Sequence, residues 1–208
     1  MSHPNLRVRV YNVLFGDAIL VLVPDEDESG QAVQRSILID VGNAYNGDGG
    51  DDAVFKAVVE DILAATGERP IDLFVMTHEH LDHVQGLPYA FHEWGLDPAV
   101  DTAWLTVSSE KTYYERYPDA RKKKLTAEVF DALTRALTAG DTSGAWQHLL
   151  AINDPRRTAQ CVDHLRDLAG EARTHYVFRG MPTEGKHPFR RATIDLWAPE
   201  EDCSDYYG

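Results

Sequence analysis

Ile71-Asp72-Leu73-Phe74-Val75-Met76-Thr77-His78-Glu79-His80-Leu81-Asp82-His83 is an apolar run that opens directly into three histidines and one aspartate. Imidazole nitrogen and carboxylate oxygen suit zinc, manganese and iron. In extended chain, side chains alternate, so His78, His80 and Asp82 fall on one side. His83 breaks the alternation and reaches the same side only if the chain turns there, most simply by entering a helix. Two adjacent metal positions then follow, one held by His78 and His80 and the other by Asp82 and His83. A metal pair of this kind makes a nucleophile from water and polarises a phosphoryl or carbonyl oxygen. The plainer alternative is a histidine-rich loop that binds no metal.

Working outward, Leu6 to Val13, Ala18 to Val23 and Ser36 to Val41 are rich in strand formers and predict an antiparallel meander buried on both faces. Asp25-Glu26-Asp27-Glu28-Ser29-Gly30 reads as a charged turn, and Gly42 to Asp52 as a glycine- and asparagine-rich loop, either an exposed connection or a border of the site. Val54, Phe55, Val58, Val59, Ile62 and Leu63 have helical spacing, stopped before Gly67 and Pro70. Strand 71–76, a helix over Val84 to Trp94 and a strand over Val100 to Val107 complete an α/β pattern. Residues 110–170 differ. Val129, Phe130, Leu133 and Leu137, then Trp146, Leu149, Leu150 and Ile152, then Val162, Leu165 and Leu168 predict a helical insertion inside one domain spanning 1–208. It would serve as a lid, a dimer surface, a docking face or the cover of a sheet edge. Arg173 to Arg179 and Ala192 to Ala198 read as late strands.

H-x-H-x-D-H after an apolar strand resembles the signature of the metallo-β-lactamase superfamily. Ser36-Ile37-Leu38-Ile39-Asp40-Val41-Gly42 resembles that family's strand ending in Asp-x-Gly. Phe15-Gly16-Asp17-Ala18-Ile19-Leu20-Val21 is similar to a segment of the branch that includes the hydrolase domains of ComEC-type DNA-uptake proteins. Val100 to Leu105 and Ile194 to Pro199 fit strands of the same branch. The resemblance implies the N-terminal part of an αββα sandwich and a hydrolase holding one or two zinc ions, with manganese or iron as alternatives. His78, His80, Asp82 and His83 would be the ligands. Asp82 would also act catalytically by orienting the nucleophile, and Asp40 would orient the ligand loop through hydrogen bonds. A phosphodiesterase or nuclease working through a metal-bound hydroxide on nucleic acid or nucleotide is the implied activity. The pattern breaks downstream: nothing after Pro199 matches the family's final histidine, so the second β-layer and its ligands are expected to be missing. An incomplete sandwich exposes an apolar face that calls for a partner chain or a second copy. The alternative reading is therefore a non-catalytic binding or assembly module that keeps a partial metal site.

Composition sets outer bounds. A chain of 208 residues is long enough for one good-sized domain. A net charge of −14, from 20 basic and 34 acidic residues, disfavours general adhesion to nucleic acid or anionic membrane. No apolar run approaches the roughly 18 residues of a membrane span. No basic-then-apolar leader opens the sequence, and Cys161 and Cys203 read as free thiols, which together point to the cytoplasm. Lys111, Arg116, Arg121, Lys122, Lys123 and Lys124, interleaved with Tyr113, Tyr114 and Tyr117, form a basic stretch. A second comprises Lys186, His187, Arg190 and Arg191. Each reads as a solvated face or as a grip on a single strand. Asp17 is expected in a turn, Glu79 pointing away from the ligands, and Thr77 bonding the backbone of the loop. His92, His148, His164 and His187 stand singly. His175, in a late strand, is the remaining candidate for an extra ligand. Leu137 to Asp141 superficially resembles a later family segment but has the wrong order to carry a ligand.

Overall fold

The computed structural model describes residues 5–43, 53–122, 124 and 155–205. Six strands form one mixed sheet in sequence order: β1 (Arg7–Val10), β2 (Ala18–Glu26), β3 (Ala32–Val41), β4 (Leu73–Val75), β5 (Ala103–Thr106) and β6 (Thr174–Val177). β1 to β3 are antiparallel, and β3 to β6 run parallel. Parallel neighbours need crossovers. These are α1 (Val54–Thr66), then α2 (Leu81–Val84) with α3 (Gly86–Trp94), and finally the segment carrying α4 (Tyr113–Arg116) and α5 (Pro155–Asp167). The α/β class expected from the alternation of elements is what the chain adopts.

The apolar spacing decides the layers. Phe55, Val58, Val59 and Ile62 of α1 pack with Leu81 and Val84 of α2, Leu87 and Ala90 of α3, and Val162 and Leu165 of α5. All meet Leu20, Leu22, Leu38, Phe74, Ala103 and Leu105 on one face of the sheet. Successive strand residues point to opposite faces, so Val21, Val23, Ile37, Leu73, Val75 and Trp104 line the other.

That second face is covered by an irregular strap rather than by strands. Met181, Phe189, Ala192, Ile194 and Leu196 pack on Val23, Leu73, Trp104 and Val177. The expectation of a strand over Ala192 to Ala198 is thus corrected. Its backbone groups are tied within the strap instead of to the sheet: Gly180 N–H donates to Leu196 O at 3.2 Å and Thr183 Oγ1 to Ile194 O at 3.0 Å. Trp104 Nε1 donates to Lys186 O at 2.7 Å, so the largest buried side chain of the sheet also anchors the strap. The strap does not reach the meander's outer edge. Leu6, Val8 and Val10 keep 60%, 56% and 74% of their surface exposed, so β1 is not buried on both faces as the sequence suggested.

Asp25 is a second correction. β2 runs on through Asp25 and Glu26, and the turn begins at Asp27. The Asp25 carboxylate is fully buried and accepts Arg190 N–H at 3.0 Å, Arg191 N–H at 2.9 Å and Arg35 Nε at 2.9 Å. It latches the strap to the sheet. Among the described residues no helix is long and apolar enough to cross a membrane. The expected helical stretches at 129–137 and 146–152 lie outside the described residues, as do His148 and the 137–141 segment.

Burial alone would raise the Asp25 pKa. The bonds from Arg190, Glu26 and Arg191 and the Arg35 guanidinium outweigh it and hold the group below its ordinary 3.8. Its stabilisation is therefore present above that value and lost as pH falls below it. Asp25→Ala is expected to cost about 3 kcal/mol in urea unfolding at pH 7, since it leaves the Arg190 and Arg191 amides without their acceptor and takes one of the two carboxylates, Asp25 and Asp72, from Arg35. The difference from the wild type should shrink below about pH 3.8.

Candidate metal centre

The site grows from the carboxyl ends of two parallel neighbours. Asp40 is the penultimate residue of β3, and the chain leaves β4 through Met76 into Thr77 and His78. Ala18 pairs with Val41 and Ile19 with Ile39, so Asp40 is an extra residue with no partner on β2. It is a bulge with φ of +50°, in the left-handed region that aspartate tolerates better than most residues. The bulge aims a buried carboxylate across the strand ends. Asp40 Oδ1 accepts Thr77 N–H at 2.8 Å, and Oδ2 accepts Thr77 Oγ1 at 2.5 Å and His83 Nδ1 at 2.9 Å. Thr77 therefore bonds the Asp40 side chain, not the loop backbone as expected from sequence.

The chain then turns as His83 required. His80 precedes α2, and His83 N–H donates to His80 O at 3.0 Å to close the first turn. The turn brings the His83 ring 3.8 Å from that of His78, centroid to centroid, and His78 lies 4.7 Å from His80. Asp82 Oδ2 stands 3.5 Å from His83 Nε2. The four residues singled out by spacing are thus gathered in one cluster with Asp40 behind them.

Proton bookkeeping orients the rings. Thr77 has one hydroxyl proton, and it goes to Asp40. At 3.1 Å from Thr77 Oγ1, His78 Nδ1 must then be the donor. His83 Nδ1 likewise donates to Asp40. Both histidines, when neutral, present bare Nε2 atoms, the arrangement that a supporting carboxylate imposes on metal-binding imidazole. Burial pushes His78 below its ordinary 6.5, helped by the neighbouring His83 and His80. Burial also opposes charge on His83, but its bonds to Asp40 and Asp82 outweigh that and raise it to about 9. Asp82 is held below 3.8: burial works against its charge, and the His83 contact outweighs burial.

Close backbone packing holds this turn in place. A Cβ on Gly42 would lie 2.2 Å from the Asp82 carbonyl carbon and 2.3 Å from His83 N, and one on Gly16 2.5 Å from Asp82 O. Only glycine admits that approach at either position. Asp17 N–H donates to Asp82 O at 3.1 Å, and Gly42 N–H to Asp17 O at 3.0 Å. Asp17 is a turn residue, as expected, yet its Oδ2 also comes within 3.7 Å of His83 Nδ1. Spacing could not reveal this, because Asp17 and His83 meet only through strand register.

The donor set fits a borderline metal such as zinc. Asp82 Oδ1 is buried and has no hydrogen-bond partner, which leaves a carboxylate oxygen for a cation. Among the described residues, however, no three histidine, cysteine or carboxylate groups already stand around a common point. The His78 and His83 rings lie against each other at 48°.

Other expected residues fall elsewhere. Glu79 does turn away, accepting Ser108 Oγ at 3.1 Å and pairing with Lys124 at 3.4 Å. His175 pairs with Trp104 in the sheet, beside Lys186. His92 and His164 lie 6.1 Å apart between α3 and α5. The basic stretches serve structure: Arg116 pairs with Glu110, Lys122 with Asp119, Arg191 with Glu26, and Tyr113 is fully buried. Lys123 and most of the Gly42 to Asp52 loop lie outside the described residues.

No family model matches this chain, and no curated protein matches it in sequence. Among solved structures it is similar to the metallo-beta-lactamase FIM-1 from Pseudomonas aeruginosa in its mono-zinc form. The identity is 20% and the TM-score 0.24. The match covers 53% of this chain and 47% of that one, so it spans about half of that protein's length.

The raised His83 makes the metal-free protein pH-sensitive. Its stabilisation is fully present below the ordinary 6.5 and is lost as pH rises through about 9. A nitrogen-detected NMR titration of metal-free protein should place the His83 midpoint near 9, and Asp40→Ala should bring it down towards 6.5.

Proposed function

We propose that this chain is a metal-dependent hydrolase whose ligands are His78, His80, Asp82 and His83. The observation that carries this reading is the Asp40 carboxylate, which grips Thr77 and His83 together behind the His78 to His83 turn. A supporting carboxylate behind clustered imidazoles is the usual device for fixing ring orientation at a metal. Zinc bound there supplies a Lewis acid and makes water nucleophilic near neutral pH, with manganese or iron as alternatives. The chain's own residues do the rest. Asp40 fixes the His83 tautomer, and Thr77 fixes that of His78. Asp82 keeps one oxygen free to orient the attacking group or bind the ion. Of the possible substrates, a phosphodiester in nucleic acid or nucleotide is favoured by the resemblance of Phe15 to Val21 to the DNA-uptake branch. The acidic surface makes such recognition local rather than a matter of overall charge.

One observation favours a second reading. The exposed Val8 and Val10 of edge strand β1, with Leu6 just before it, form an apolar face of the kind partners cover. On that reading the chain is a binding or assembly module, and a partner chain or second copy completes it.

Metal content and turnover separate the two. Zinc- or manganese-loaded protein should retain about one to two equivalents of metal after dialysis. It should hydrolyse bis(p-nitrophenyl) phosphate, and His80→Ala should lower the rate by about a hundredfold or more. Retention below about a tenth of an equivalent would sink the hydrolase reading. Stoichiometric metal without turnover would favour the module.

A further inference from the structure

We infer that Asp17 is a positioning residue of the metal centre, acting on His83 with its carboxylate and on Asp82 with its backbone. This rests on the metal-site reading above. Two independent contacts converge on Asp17. Its main chain joins three segments, donating to Asp82 O at 3.1 Å and accepting Gly42 N–H at 3.0 Å. Its side-chain Oδ2 lies 3.7 Å from His83 Nδ1, on the nitrogen that Asp40 already engages at 2.9 Å.

The approach to this position is itself constrained. Leu14 has φ of +72° and donates its N–H to Asn12 Oδ1 at 3.1 Å. Gly16 follows, where any Cβ would strike Gly42 O at 2.2 Å and Asp82 O at 2.5 Å. A loop with a left-handed leucine and a backbone pressed against the ligand turn holds Asp17 in one place. Two carboxylates therefore face the same His83 nitrogen, Asp40 from the buried side and Asp17 from the exposed side. With Nδ1 bonded to Asp40 and the Asp17 charge 3.7 Å away on the exposed side, the ring keeps Nε2 turned toward Asp82, where an ion would be held. Asp17 also adds negative charge behind the ligand, which raises the basicity of a metal-bound imidazole.

Zinc affinity measured by competition with a chromophoric chelator tests this. Asp17→Ala should weaken zinc binding about tenfold, and Asp17→Asn, which keeps an oxygen acceptor, by less. Both variants retain the backbone bonds, so the midpoint of thermal unfolding of metal-free protein should stay within about 2 °C of wild type. The visible spectrum of cobalt-substituted protein should shift in Asp17→Ala and be largely restored in Asp17→Asn. Wild-type zinc affinity and cobalt spectrum in Asp17→Ala would overturn the role of Asp17 and leave the metal centre standing. A drop in metal-free stability that accounts for the whole affinity loss would overturn the carboxylate role too. A wild-type protein that binds no zinc would overturn both readings together.

Discussion

Asp40 bears the largest share of the structure's organisation. It is an extra residue in β3, in a left-handed conformation, with its carboxylate sealed from water. Such a backbone costs of order 1–3 kcal/mol and persists only where surroundings demand it. Here three donors demand it: the Thr77 amide, the Thr77 hydroxyl and the His83 ring. A buried carboxylate left without them would be far costlier than the strained turn. The bulge thus couples the end of β3 to the start of the ligand turn and to the first turn of α2. The positions of His78, Asp82 and His83 follow from that coupling.

The sheet solves its burial problem differently on its two faces. Helices α1, α2, α3 and α5 cover one face with regular apolar stripes. The other face is covered by a strap without regular secondary structure, latched by Asp25 and by the Trp104 indole. A buried carboxylate that accepts backbone amides does for the strap what strand pairing does for a sheet: it satisfies polar groups that burial would otherwise penalise. The strap stops short of β1, and the apolar side chains of that strand remain exposed. Charge is spent locally throughout. Within the basic runs of the sequence, Arg116, Lys122, Lys124 and Arg191 are each paired with a nearby carboxylate.

Much of this was legible in the residues. Runs of apolar strand formers placed β2, β3 and β4, because those strands are buried on both faces, and helical spacing placed α1, because it has one. The turn that gathers His78, His80, Asp82 and His83 was legible because these four residues lie within six positions. Their support was less so. Asp40 was identified as the orienting carboxylate, but its left-handed bulge and its grip on Thr77 depend on β2–β3 register. Asp25 read as a turn residue because acidic runs are usually solvated, and the buried amides that override this come from residues 165 positions away. Ala192 to Ala198 read as a strand because its apolar alternation is real. Alternation reports one buried face, and it does not report whether the backbone pairs with a neighbour.

The amino-acid sequence by itself determined the α/β class, the histidine-rich turn and the carboxylate behind it. Those features rest on local spacing and on the one-sided burial of each segment. Tertiary structure alone decided which carboxylates stay buried, which face the strap covers, and that Asp17 meets His83 beside Asp40. Each of these depends on strand register and on the desolvation of polar groups brought together from distant parts of the chain, and neither quantity is written in the order of the residues.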